Sequence, residues 1–292
     1  MNILTFDTEE WYNEKNIYGG RESKYKQYDE VFFRLLDQLD ELGIKATFNC
    51  VGKLATDFPY VVTEIAKRGH EVGCHSNEHT WINKMSESEF REDTKAAISA
   101  LEDLTGQKVV SYRAPAFTIG ESNKWAIDVL AECGIENDAS VFPIKRDFGG
   151  FDTFGTAEPC IVEHNGVRLH EFPLCVANIL GKQVVFSGGG YFRIYPYWYL
   201  KHQMESRDYV IWYFHLFDLV SEQKKMLSKK QYEEYFKEPG TLLNRYKRYL
   251  KGSIGSGGAY DKMVKLLKAG EFINIQKAVE TIDWNNVRNV KI

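Results

Sequence analysis

The 292-residue sequence has little cysteine, little proline and no long apolar run. Its five cysteines (Cys50, Cys74, Cys133, Cys160 and Cys175) are odd in number, and none form a Cys-x-x-Cys pair. That excludes a disulfide framework and leaves buried apolar thiols as the expectation. Seven prolines and 23 glycines exclude collagen-like and low-complexity classes. No stretch nears the roughly 18 apolar residues of a membrane-spanning helix. The opening residues, MNILTFDTEEW, contain neither a basic stretch nor a cleavable apolar core, so no signal peptide is expected and a cytoplasmic location is. A net charge of −4 gives no nucleic-acid footprint, so no nucleic-acid partner is expected.

What is present is ample apolar surface, 43% of residues, with 14% aromatics. This excludes a disordered chain. Charge is unevenly spread. Residues 221–292 hold 15 basic against 8 acidic residues, a net of +7, leaving 22 against 33, a net of −11, in residues 1–220. Solvated helix faces account for the basic part most simply. A sharper reading places an anionic or pyrophosphate-linked glycan, or a membrane surface, near it.

Short β-branched runs alternate with helical patterns. NILTF, KATFNCVG, HEVGCH, VVSYRAP, IENDAS and YVIWYFH read as strands. Asp29 to Gly43, Phe58 to Arg68, Glu87 to Leu104, Lys124 to Cys133, the segment RIYPYWYLKHQME and Gly258 to Ala269 read as helices. The alternation predicts an α/β fold with a parallel sheet, open or closed as a barrel. A β-rich excursion is expected over 144–190. Residues 1–292 are expected to form one domain, with 221–292 a basic, mainly helical part. The glycine-rich SGGGYF and GSGG match no phosphate-binding motif and are expected to be tight turns.

Four chemically able groups follow strand runs: Asp7 with Glu9 after NILTF, His75 after EVGC, Arg113 after VVSY and His215 after VIWYF. In parallel α/β folds the carboxyl ends of strands carry the active site. His75 and His79 in HSNEH are four apart, which on a helical turn would aim both imidazoles at one ion. Two imidazoles and one carboxylate make a three-ligand site, and the acids after NILTF are the candidates for the third. In extended chain Asp7 and Glu9 share a side, while Glu10 faces away. Arg113 is a candidate partner for Asp7. Asp138 and Ser140 in ENDAS could support the site or simply form a turn. Taken alone, each motif also has a structural reading: solvated acids, a surface arginine or a satisfied core histidine.

The order and wording of TFDTEEW, KATFNCVGKLA, GHEVGCHSNEH, YRAPAF and YFH resemble the polysaccharide deacetylase family (NodB homology, carbohydrate esterase family 4). ENDASVFP and GGGYFRIYP look like the subgroup of exopolysaccharide and capsule gene clusters. The resemblance implies an irregular (β/α) barrel holding one divalent metal ion, zinc first, with cobalt, iron or nickel as other occupants. It implies His75 and His79 as ligands and Asp7 as general base. Thr8 stands where the family has its second aspartate, so Glu9 is the implied carboxylate ligand, with Glu10 left open. It implies Arg113 as the holder of Asp7, His215 as general acid and the Ala116 backbone N–H as oxyanion donor, although Ala116 replaces the usual tyrosine. Asp138 and Ser140 would stand behind these groups.

The implied activity is removal of N-acetyl groups from amino sugars of a polysaccharide or of its cytoplasmic lipid-linked precursor. A cytoplasmic cyclic ureide or imide hydrolase with the same site is the rival, and a silent glycan-binding barrel a lesser one. The expected partner is a carbohydrate or small amide substrate, with no transmembrane segment and a peripheral membrane contact left open.

Overall fold

The computed structural model describes residues 1–146, 149–179, 181–220, 226–236, 238–255 and 257–292. Residues 147, 148 and 180 of the expected β-rich segment, and 221–225, 237 and 256 of the basic part, lie outside them. The strands are β1 (Asn2–Thr8), β2 (Thr47–Cys50), β3 (Glu71–Cys74), β4 (Ser111–Tyr112), β5 (Asn137–Asp138), β6 (Cys160–His164), β7 (Val167–Glu171), β8 (Val176–Ile179), β9 (Lys182–Val185), β10 (Val210–Phe214), β11 (Phe272–Ile273) and β12 (Arg288–Lys291).

The main sheet runs β10-β1-β2-β3-β4-β5-β7-β6-β12. From β10 to β7 every neighbour is parallel. Helices connect these strands and cover them, so β1, β2, β3 and β10 are apolar runs buried along nearly their whole length. The sheet curls towards closure through irregular chain. Leu174 N donates to the Val141 carbonyl at 3.0 Å, and Tyr213 N donates to that of Ser187 at 3.0 Å. The Tyr209 hydroxyl donates to the Pro173 carbonyl at 2.7 Å. The fold is the irregular, barrel-like α/β arrangement expected.

The helices follow from their sequences. Helix Glu22–Glu41 buries Val31, Phe32, Leu35, Leu36 and Leu39 as one stripe. It starts a full two turns before Asp29, because Tyr25 packs on Phe58 and Tyr28 on Trp11. Helix Glu87–Thr105 opens with a reciprocal capping box between Ser86 and Glu89 and ends on left-handed Gly106.

The segment 144–190 is β-rich as expected: β7 pairs with β5 and β6 with β7, extending the main sheet, and β8 and β9 form a separate hairpin. The C-terminal part adds two short strands to its helices, β11 pairing with β1 and β12 with β6. Two expectations are corrected. Pro196, lacking an N–H and restricting the residue before it, splits RIYPYWYLKHQME between helices Gly189–Ile194 and Tyr197–Glu205. SGGGYF is not a free turn. Gly188 and Gly189 start the first of these helices while lying against Tyr213 of β10.

That last contact needs glycine for space, because a Cβ on Gly188 would overlap the Tyr213 carbonyl. Gly188→Ala is therefore expected to cost about 1–3 kcal/mol through forced backbone movement. Urea midpoints measure it, and an unchanged midpoint contradicts the packed closure.

Candidate active site and metal centre

Strand register brings the sequence-predicted groups to one rim. Asp7 pairs in register with Asn49 of β2, one residue before the end of each strand. His75 directly follows β3, Arg113 follows β4 and His215 follows β10. These strands are parallel neighbours, so their carboxyl ends open on a common site.

Arg113 is fully buried and sits at the centre. Its Nη1 donates to Asp7 Oδ1 at 2.9 Å and to Thr5 Oγ1 at 2.7 Å, and its Nε donates to the Ala139 carbonyl at 3.0 Å. Asn49 Nδ2 adds a second hydrogen bond to Asp7 Oδ1 at 3.0 Å. Burial opposes ionisation of Asp7. Arg113 outweighs it, helped by His75, His215 and Asn49, and the carboxyl is held below its ordinary range.

Glu9, His75 and His79 form a separate cluster in which one donor atom from each lies within 4.8 Å of the others. His75 Nδ1 lies 2.7 Å from the Arg113 carbonyl. A carbonyl only accepts, so Nδ1 carries a proton, and Nε2 is the nitrogen that faces Glu9, 3.5 Å away. Glu9 Oε2 also touches His79 Nε2. Among the described residues that oxygen is buried without a hydrogen-bond partner, and the two imidazoles approach it. One carboxylate and two imidazole nitrogens fit a divalent cation of the zinc, cobalt, iron or nickel type.

The histidine spacing works differently from the helical expectation. Residues 75–79 form no helix: Ser76 and His79 both have left-handed backbone (φ 60° and 55°). The loop between them bends sharply enough to turn both rings inward. Its middle is anchored by Asn77 N, which donates to Asp93 at 2.8 Å. Glu78 points outward to Lys53, 3.5 Å away.

The acids that follow NILTF also separate. Glu9 lies in the cluster, whereas Glu10 begins the helix Glu10–Ile17 and accepts from Phe217 N at 3.2 Å. Burial pushes the Glu10 carboxyl up to about 7. His215 faces Asp7 Oδ2 at 3.9 Å and Glu9 Oε1 at 3.8 Å. Its other ring nitrogen meets Asp218 Oδ2 at 3.1 Å. Burial disfavours its charge, but the Asp218 bond and the charges of Glu9, Asp218 and Asp7 prevail and push it up to about 10.

Asp138 and Ser140 act behind Arg113. Ser140 Oγ donates to Asp138 at 2.5 Å and accepts from Ala114 N at 2.8 Å, which fixes the chain just after Arg113. Asp138 is in register with Glu171 of β7. Burial pushes both carboxyls up, and two such groups side by side retain a proton between them. Ala116 and Phe117 are consecutive left-handed residues, φ 52° and 56°, so the turn after Arg113 is a strained rim element. Arg146 Nη1 donates to the Ala116 carbonyl at 3.1 Å.

Asn49, Asp218, Glu171 and Thr5 escaped the sequence reading. Their signals were faint: a polar residue inside an apolar strand run, an acid three residues after a histidine, and an acid ending a strand.

Removing the guanidinium would leave Asp7 buried with its main countercharge gone, so Arg113→Met is expected to cost about 3–5 kcal/mol. The sign with pH follows from the direction of each shift. In the native protein Asp7 is depressed below 3.8, so its contribution is fully present above that value and lost only on acidification through the folded value. In the variant burial dominates and raises it, so the penalty grows as pH rises above 3.8. The stability deficit of Arg113→Met, from urea midpoints, should be larger at about pH 8 than at about pH 5. A deficit independent of pH contradicts the pairing.

The polysaccharide deacetylase family model matches residues 3–137, and a second model, a domain of unknown function (DUF3473), matches residues 139–280. A peptidoglycan-N-acetylglucosamine deacetylase of Bacillus cereus is 34% identical over 96 residues, 32% of this chain and 35% of that protein. A bifunctional xylanase/deacetylase of Pseudobutyrivibrio xylanivorans is 29% identical over 97 residues, 33% of this chain and 16% of that protein. The chain thus spans about a third or less of the length of these curated relatives. Among solved structures, a candidate polysaccharide deacetylase from Mycobacterium smegmatis superposes with a TM-score of 0.64 at 17% identity, covering 100% of this chain and 92% of the other. A 4-alpha-glucanotransferase from Thermococcus litoralis gives 0.58 at 11% identity, over 100% of this chain and 42% of the other. These two share the fold. Residues 3–137, a little under half of the chain, are thus similar to the polysaccharide deacetylase family.

Proposed function

We propose that the protein is a divalent-metal-dependent deacetylase that hydrolyses N-acetyl groups on amino sugars of a polysaccharide or of its lipid-linked precursor. The observation that carries this reading is the buried Arg113–Asp7 pair beside the Glu9, His75 and His79 cluster, with His215 facing both carboxylates. Glu9, His75 and His79 would hold the ion, which when bound supplies Lewis-acid polarisation of an amide carbonyl and a more acidic water.

The chain's own groups then have distinct tasks. Asp7, kept ionised by Arg113, takes a proton from the attacking water. His215, protonated and held by Asp218, gives its proton to the leaving nitrogen. The backbone N–H at Ala116 offers a donor for the oxyanion that does not depend on the side chain there. Acetate and a free amino sugar are the products.

The named deacetylases among the relatives support this over the cyclic ureide or imide hydrolase. ENDASVFP and GGGYFRIYP support an exopolysaccharide or capsule polysaccharide as the substrate class. Asp7→Asn is expected to lower kcat for acetate release from N-acetylated oligosaccharides by about 10²–10⁴-fold. His75→Ala and chelation should each abolish release, with added divalent metal restoring only the chelated wild type. Release that survives full metal depletion contradicts the reading, and turnover of allantoin-like rings without acetate release assigns the site to the rival.

A further inference from the structure

Nine large apolar side chains are exposed among the described residues, and five of them fall in one stretch: Leu242, Leu243, Tyr246, Leu250 and Ile254. In helix Leu242–Ser253 the positions 242, 246 and 250 stack along one side, with 243 adjoining. Leu242 is 66% and Leu243 60% exposed. The polar side of the same helix faces the protein. Arg245 Nη1 donates to the Leu227 carbonyl at 3.2 Å, and the Arg248 guanidinium lies 4.2 Å from the centre of the Phe236 ring. This inverts the ordinary surface helix, whose apolar stripe packs inward.

Charge defines the partner. The sequence of this helix holds Arg245, Lys247, Arg248 and Lys251 and no acid. Lys247 is exposed and follows Tyr246 directly. The exposed stripe continues past the helix end. Gly255 packs so closely on Arg193 that a Cβ there would overlap the Arg193 carbonyl, which brings Ile254 near the exposed Ile194.

We propose that this helix docks the protein on an anionic phospholipid bilayer. Leu and Tyr side chains enter the boundary between headgroups and acyl chains, and Lys247, exposed beside Tyr246, meets lipid phosphates. A ridge of leucine and tyrosine with an exposed lysine beside it, on a helix without an acid, matches a surface in which apolar chains and phosphates lie in adjacent layers. Docking here would set the active-site rim near the membrane. Arg193, against Gly255, reaches within 3.6 Å of Asp218, which holds His215. The inference does not depend on the deacetylase reading, because vesicle binding is measured without substrate.

The test is co-sedimentation of the full chain with phosphatidylcholine vesicles, with and without phosphatidylglycerol. Binding should be about tenfold or more stronger with phosphatidylglycerol and should weaken as salt rises. Lys247→Glu should reduce it by roughly fivefold to tenfold. Leu243→Ser combined with Tyr246→Ser should reduce it by about tenfold or more, with thermal unfolding and acetate release from a soluble oligosaccharide unchanged. Equal binding to both vesicles, no binding to either, or variants that bind like wild type would each overturn the proposal. So would a dimer, seen by light scattering, that the double substitution converts to monomer, since that assigns the face to a second copy.

Discussion

A guanidinium fully removed from water is the constraint around which this site is built. Burying the charge of Arg113 is tolerable only if its donors meet acceptors and a countercharge. Asp7 and Thr5 of β1 meet Nη1 and the Ala139 carbonyl beyond β5 meets Nε, while Nη2 is buried without a hydrogen-bond partner among the described residues. One side chain therefore ties the first strand of the chain to elements more than a hundred residues later. Its backbone does as much again, because the Arg113 carbonyl orients His75 and so selects the nitrogen that faces Glu9. The proposed base and the candidate metal-binding cluster share one anchor.

Behind the anchor stands a second layer of buried polar groups. Ser140 bridges Ala114 N and Asp138, and Asp138 lies beside Glu171 in the adjoining strand. Two carboxyls that burial pushes up carry fewer than two negative charges, so they brace the loop without drawing Arg113 away from Asp7. His215 has its own brace in Asp218, which also caps the short helix that follows the histidine. Asp7, His75 and His215 are thus each fixed by a partner outside the reacting cluster, as a preorganised site requires.

Much of this was legible in the sequence because strand ends are. An apolar run that stops at Asp7, His75, Arg113 or His215 marks both the strand and the residue at its rim, and parallel packing then brings the four together. The histidine loop was legible in its residues and not in its shape. Spacing of four suggested a helical turn, while left-handed Ser76 and His79 achieve the convergence in a loop. Asn49, Glu171 and Asp218 were hidden because a single polar residue in or near a strand has no periodic signal. Strands β11 and β12 were hidden for a related reason: they are two and four residues long and gain their stability from pairing with β1 and β6, partners hundreds or more than a hundred positions away. The apolar stripe of helix Leu242–Ser253 shows the converse limit, since periodicity reveals a face without telling which way it points.

The central claim is that Glu9, His75 and His79 form a metal centre positioned by the Arg113–Asp7 pair. Anomalous diffraction from crystals containing a divalent ion tests it most directly. The account predicts one ion bound by those three side chains, with Arg113 and Asp7 still in hydrogen-bond contact at about 3 Å. An ion held by Glu10 in place of Glu9, or none at saturating concentration, would contradict it.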